Sequence, residues 1–235
     1  MTSSPLLVAE TIGKSYRGRS VLTSAYLHAR PGSIVGLVGR NGTGKTTLLN
    51  IASGLLSADH GTLRFAGRLQ RKPALHRLAA QGLFFLPADR SCLSPGFTVG
   101  EHLRGAANQA CYPSDENEVT ELLQLAGMLH TRTGTLSPGE RCRTQLAIAL
   151  LQSPDCLLAD EPFRHLDPKD VELVMGCLRR AADQGCAVLI SGHQVTFLLD
   201  LVDEVFWVTA GTTHLLGPPT QAAENWSFRR EFLGV

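Results

Sequence analysis

Short apolar runs bounded by glycine and turn residues alternate along this chain with stretches whose apolar positions recur at helical spacing. Residues 6–9 and 21–27 are β-prone and are separated by the turn-like Tyr16-Arg17-Gly18-Arg19. Ile34–Val38 is a short apolar run that ends against glycine, as a buried strand does when it feeds a tight turn. Residues 46–55 place Leu48, Leu49, Ile51, Ala52 and Leu55 at helical intervals. Residues 61–67 read as a small strand between glycines, and 83–86 as a buried strand stopped by Pro87.

From residue 98 to 133 the pattern becomes helical, with a polar break at residues 112–117. A helix over 140–151 follows, then strands at 156–159 and 187–190 with a helix at 171–182 between them. Repeated strand–helix–strand units imply an α/β fold with a mostly parallel sheet. With no internal repeat and no low-complexity linker, the chain reads as one domain. Residues 1–97 and 138–235 form the core, with a small antiparallel β region near the N-terminus, and 98–137 form a helical insertion.

Composition narrows the function. The chain has 235 residues, 43% hydrophobic, with 22 Lys+Arg against 21 Asp+Glu and a formal charge of +1. That is long and apolar enough for a real core and unlike a disordered chain. It lacks the basic excess of a protein that grips phosphate backbones, so no nucleic-acid partner is expected. The most apolar tract, 195–210, is broken by Asp200, Asp203 and Glu204, which argues against a membrane span. Residues 1–7 show no basic region followed by an apolar core, so no secretory signal is expected. Cys92, Cys111, Cys142, Cys156, Cys177 and Cys186 have no metal-ligand spacing and read as reduced thiols of a cytoplasmic protein.

The chemistry concentrates in three motifs. Gly39-Arg40-Asn41-Gly42-Thr43-Gly44-Lys45-Thr46 matches the phosphate-loop pattern GxxxxGK[ST] and lies between a strand and a helix, the context that pattern requires. Glycines let successive N–H groups converge on one anion, and the helix that follows adds its positive end. Lys45 would reach the β- and γ-phosphates, and the Thr46 hydroxyl would ligate Mg²⁺. Second, the apolar run Cys156–Ala159 delivers Asp160 and Glu161 at its end, where ligands bind in parallel sheets. Asp160 would hold the Mg²⁺ shell. Glu161, on the opposite side if the chain stays extended, would polarise the attacking water. Third, Ser137-Pro138-Gly139-Glu140 has the form of a capping box with proline at the first helical position.

In this order the motifs resemble the ATP-binding cassette (ABC) ATPase family, over nearly the whole chain. Residues 39–46 are similar to the Walker A loop, 136–140 to the signature sequence, and 156–161 to Walker B with its catalytic glutamate. His165-Leu166-Asp167 looks like the D-loop, His193 like the switch histidine, and Tyr16 like the aromatic residue that stacks on adenine. The resemblance implies a P-loop NTPase fold with a RecA-like core. It implies ATP and Mg²⁺ as ligands of Tyr16, residues 39–46, Thr47, Ser137, Gly139, Glu140 and Asp160, with Glu161 and His193 as catalytic residues. It implies a head-to-tail dimer in which the Ser137 region of one copy covers the nucleotide of the other. Transmembrane permease subunits would dock near residues 91–104, where Gly96, Phe97 and Gly100 lie. The subunit would sit in the cytoplasm on the inner face of the membrane. Residues 160–163 and 228–234 look like the subgroup serving branched-chain amino-acid uptake and lipopolysaccharide export.

Two positions depart from the family pattern. Ala88 stands where the family has glutamine, which puts the coupling of nucleotide to the helical segment in doubt; Asp89 is a weak substitute. Pro138 replaces the first signature glycine and removes one backbone N–H. A regulator that binds nucleotide with little turnover is the alternative reading that Ala88 leaves open. DNA-repair members carry a long coiled coil or zinc module, and translation-factor members carry two cassettes; this chain has none of these.

Overall fold

The computed structural model describes residues 4–88, 92–110, 115–193 and 195–234. Strand β1 (Leu7–Tyr16) buries Leu7, Ala9 and Ile12 and turns tightly into β2 (Arg19–Ala29), its antiparallel partner. Both strands outrun the apolar runs that announce them. Alternation breaks at Glu10-Thr11, where Thr11 takes φ 51° and the register shifts between Ala9 and Ile12. That is a β-bulge, and pairing resumes beyond it.

Strand β3 (Ile34–Val38) is buried at every position and leads into helix α1 (Lys45–Ala52). Strand β4 (His60–Phe65) pairs with β1 and carries the short β5 (Arg68–Leu69); α2 (Leu75–Ala79) and β6 (Leu83–Leu86) follow. The helical segment supplies α3 (Val99–Gln109) and α4 (Glu116–Leu122). The polar break expected at 112–117 ends earlier, because Asp115 caps α4; residues 111–114 lie outside the described residues.

Helix α5 (Pro138–Leu151) starts at the expected capping box and precedes β7 (Cys156–Ala159). Then come α6 (Pro168–Asp183), β8 (Ala187–Gly192) and α7 (Val195–Leu201). The chain continues through β9 (Glu204–Thr209), β10 (Thr212–Gly217), α8 (Pro219–Glu224) and α9 (Trp226–Phe232). Thus the apolar tract at 195–210 resolves into one short helix and one strand. Among the described residues no helix is long and apolar enough to cross a membrane.

The strands join in one sheet, ordered β5-β4-β1-β2-β10-β9-β3-β8-β7-β6. Strands β9, β3, β8, β7 and β6 run parallel, and the β1, β2, β4, β5 end is antiparallel. β6 is an edge strand with Leu83 buried and Phe84, Phe85 and Leu86 half-buried, so the reading of 83–86 as a buried strand holds in part. Two cores lie on opposite faces of the parallel part. Ile34, Val38, Leu157, Val188 and Ile190 pack with α5, α6 and the helical segment. Val35, Leu37, Leu158 and Leu189 pack with α1 and the antiparallel strands. This is the period-two alternation of a strand buried on both faces.

Candidate active site

The C-terminal ends of β3, β7 and β8 converge on one edge, and each carries part of the site. Between β3 and α1 the chain turns through Gly44, which caps α1 with φ 105°. A Cβ there would crowd Leu22 Cδ2 at 2.8 Å, and the backbone angle itself requires glycine. No side chain caps α1 and no acidic residue sits in its first turn, so the first amides of α1 are left to point at an anion. The loop is tied across itself through the Arg40 carbonyl, which accepts from Thr43 Oγ1 at 2.9 Å and Lys45 Nζ at 3.0 Å. Lys45 Nζ also donates to Gly39 O at 2.7 Å. Burial pulls the Lys45 ammonium below the usual lysine range, while the nearby Glu161 and Asp160 carboxylates hold it up.

Asp160 is 3% exposed at the end of β7. Burial raises its carboxyl above the usual range, and hydrogen bonds from the Ser191 and Thr46 hydroxyls pull it back. The Ser191 hydroxyl donates to Asp160 Oδ1 at 2.5 Å and accepts from Glu161 N–H at 3.0 Å. Serine thus ties β8 to both acidic residues. Sequence reasoning missed this role, although Ser191 is the polar residue that closes the apolar run of β8. Glu161 does not continue the strand. Its φ is 49°, so the expectation of an extended residue facing away from Asp160 is corrected: a left-handed turn aims it instead. Its carboxylate lies 3.3 Å from His193 Nδ1.

A cavity of about 210 Å³ is lined by Val21, Asn41, Gly42, Gly44, Lys45, Thr46, Thr47 and Glu161. The phosphate-loop residues and the candidate base therefore share one space. The Thr46 hydroxyl, on the wall of this cavity, and the Asp160 carboxylate behind it are hard oxygen donors hydrogen-bonded to each other. Among the described residues no cluster of His, Cys, Asp and Glu forms a metal cage. One hydroxyl and one carboxylate suit Mg²⁺, which keeps several waters and takes its remaining ligands from substrate phosphates.

Ser137, Gly139 and Glu140 stand apart from this cavity, at the start of α5. Ser137 N–H donates to Glu140 Oε2 at 2.8 Å, and Ser137 Oγ accepts from Glu140 N–H at 3.3 Å. Leu136 and Pro138 line a second cavity, of about 470 Å³, with Ala88, Gln145, Asp160, Glu161, Arg164 and His165. Gly139 faces Asp170 so closely that a Cβ would fall inside the carboxylate. Tyr16 is 46% exposed at the tip of the β1–β2 hairpin, with Lys14 Nζ 5.8 Å from its ring centre, and is not among the residues lining the loop cavity. Asp89, the weak substitute for the missing glutamine, lies outside the described residues, as does Cys111; the other cysteines are free thiols.

Comparison with known proteins identifies the family. The family described as ABC transporter matches residues 22–164. A probable ABC transporter ATP-binding protein of Azorhizobium caulinodans is 34% identical, over 99% of this chain and 84% of its own. The lipopolysaccharide export system ATP-binding protein of Haemophilus influenzae is 32% identical, over 97% of each chain. Among solved structures, a nucleotide-free ATP-binding cassette from an ABC transporter superposes with a TM-score of 0.83 at 20% identity, covering 97% of each chain. The ADP conformation of another such cassette gives 0.84 at 20% identity, over 99% of this chain and 100% of that one. The chain thus belongs to the ABC transporter family as an ATP-binding subunit, an ATPase that powers a transporter.

Proposed function

We propose that hydrolysis runs in the cavity shared by residues 39–47 and Glu161. Backbone amides of the loop and Lys45 hold the β- and γ-phosphates, and the ammonium exchanges its carbonyl partners for phosphate oxygens. Thr46 and Asp160 would hold Mg²⁺, which neutralises phosphate charge when bound. Glu161 takes a proton from the attacking water, and His193, beside it, contacts the γ-phosphate. Tyr16 stacks on the adenine. The observation that carries this reading is the position of Glu161, on the wall of the loop cavity, next to Asp160 and 3.3 Å from His193.

Two copies pair head to tail, so that Ser137, Gly139 and Glu140 of one cover the nucleotide of the other. Ser137 Oγ accepts from Glu140 N–H and keeps its own proton to donate to phosphate. Residues 98–137 act as the transmission segment. Transmembrane permease subunits dock against the neighbourhood of residues 91–104, where Phe97 is 56% exposed. The subunit works on the cytoplasmic face of the membrane. The lipopolysaccharide-export relative supports placing the chain in that subgroup.

Glu161→Gln tests the reading. The amide keeps the shape and loses the base, so turnover should fall about 10²- to 10⁴-fold while ATP still binds. Trapped ATP should move the protein toward dimer in size-exclusion chromatography. Wild-type turnover in this variant would remove Glu161 from the mechanism.

A further inference from the structure

The chain after β7 winds into a tight turn that folds residue 164 back over residue 161. Arg164 N–H donates to Glu161 O at 3.1 Å, and Leu166 N–H to Phe163 O at 3.3 Å. Glu161 and His165 both adopt left-handed angles, φ 49° and 62°. Such residues persist where the surroundings over-determine them, and they cluster at functional sites. The turn sets Arg164 Nε 4.0 Å from Glu161 Oε2, and the same nitrogen donates to His165 Nε2 at 3.1 Å. On the other side of the carboxylate, His193 Nδ1 lies 3.3 Å from Oε1. Each oxygen of Glu161 therefore faces a different side chain, and Arg164 and His193 line one cavity with Glu161.

Stability does not account for this arrangement. The Arg164 side chain is 44% exposed, and an ion pair of that kind contributes little to folding. The two left-handed residues act against it. What the arrangement does accomplish is to restrict the last torsion of the glutamate. That torsion has broad, shallow wells, so contact at one oxygen leaves the carboxylate free to swing. His193 within 3.3 Å of one oxygen and the Arg164 charge 4.0 Å from the other narrow that freedom from both sides. His165, by accepting from Arg164 Nε, sets the plane of the guanidinium.

We propose that Arg164 is a positioning residue for hydrolysis: with His193 it holds the Glu161 carboxylate, one oxygen each, in the orientation that meets the attacking water. This rests on the reading of Glu161 as the base. The ion pair and the turn give Arg164 its place; the base performs the chemistry.

A double-mutant cycle on the full chain tests it. Single-turnover ATP hydrolysis is measured for the wild type, Arg164→Ala, Glu161→Gln and the double variant, with ATP affinity titrated for each. Arg164→Ala should lower the hydrolysis rate roughly 10-fold, as a small misplacement of a reacting group does, and leave ATP affinity unchanged. Arg164→Lys should recover part of the rate, since it keeps the positive charge but loses the Nε–H that His165 accepts. In the Glu161→Gln background the loss should vanish, because no carboxylate remains to be oriented. An equal fold-loss in both backgrounds would show that Arg164 acts elsewhere, and a rate at or above wild type in Arg164→Ala would overturn the proposal directly. Should Arg164→Ala fail to fold, Arg164→Lys carries the same cycle. Full turnover in Glu161→Gln alone would instead sink the reading of Glu161, a result distinct from additivity.

Discussion

Gly139 admits no side chain, and the reason is a carboxylate on the next helix. A Cβ built on Gly139 would stand 2.7 Å from Asp170 Cγ, with Oδ2 closer still. Asp170 cannot swing away without cost. Its Oδ1 lies 3.1 Å from Arg143 Nε, and the two side chains are only 17% and 13% exposed. Gly139→Ala must therefore break this pair or push α5 away from α6. Breaking an exposed pair costs up to about 1 kcal/mol and stranding a buried charge about 3–5 kcal/mol, so this half-buried pair sets the cost near 2 kcal/mol. For a chain of this length 1 kcal/mol moves the melting point by about 2–4 °C, which gives a drop of about 4–8 °C. Thermal unfolding followed by circular dichroism reads it. In Asp170→Ala the added methyl has room, so Gly139→Ala in that background should cost almost nothing. If Gly139→Ala melts with the wild type, or costs the same in both backgrounds, the close approach is not what excludes the side chain.

Ala88 borders the cavity that holds Asp160, Glu161 and Gln145, and a glutamine there has space to reach the acids. Ala88→Gln should change stimulation of ATPase activity by the membrane partner more than the basal rate or ATP affinity; movement of basal and stimulated rates by one factor would refute this. His28 gives a pH prediction. It is 2% exposed, with Nε2 2.6 Å from Glu204 Oε2 and Nδ1 3.1 Å from the Tyr26 hydroxyl, and burial, aided by Arg30, outweighs Glu204 and lowers its pKa. The unfolded chain then binds more protons than the folded one below the ordinary histidine value of about 6.5, so stability should fall as pH drops through that value. Urea melts at stepped pH should show the slope, and His28→Gln should flatten it; an unchanged slope in that variant would assign the effect to other groups.

The parts of the molecule most legible in the sequence were those written in local chemistry. Residues 39–46 needed only the glycine spacing and the flanking strand and helix; Ser137 and Glu140 needed only the spacing of a capping box. The paired acids were found, but not their aim. A strand period predicts an extended Glu161, and the left-handed turn that sets its direction depends on packing around residues 161–166. Arg164 and Ser191 were missed for a related reason. Each acts through a residue brought near by the fold, Ser191 across a β7–β8 pairing that no spacing encodes. The length of β1 was underestimated because the bulge at Thr11 interrupts the alternation without ending the strand.

The unequal footing of β3 and β6 divides the molecule mechanically. β3 has a strand on each side and side chains in both cores, so the phosphate loop is mounted on an interior strand of the sheet. β6 has a partner on one side only, and the chain leaving it runs by Ala88 to the helical segment. A push on that segment through β6 would meet a strand held from one side, whereas the phosphate loop hangs from a strand held from both.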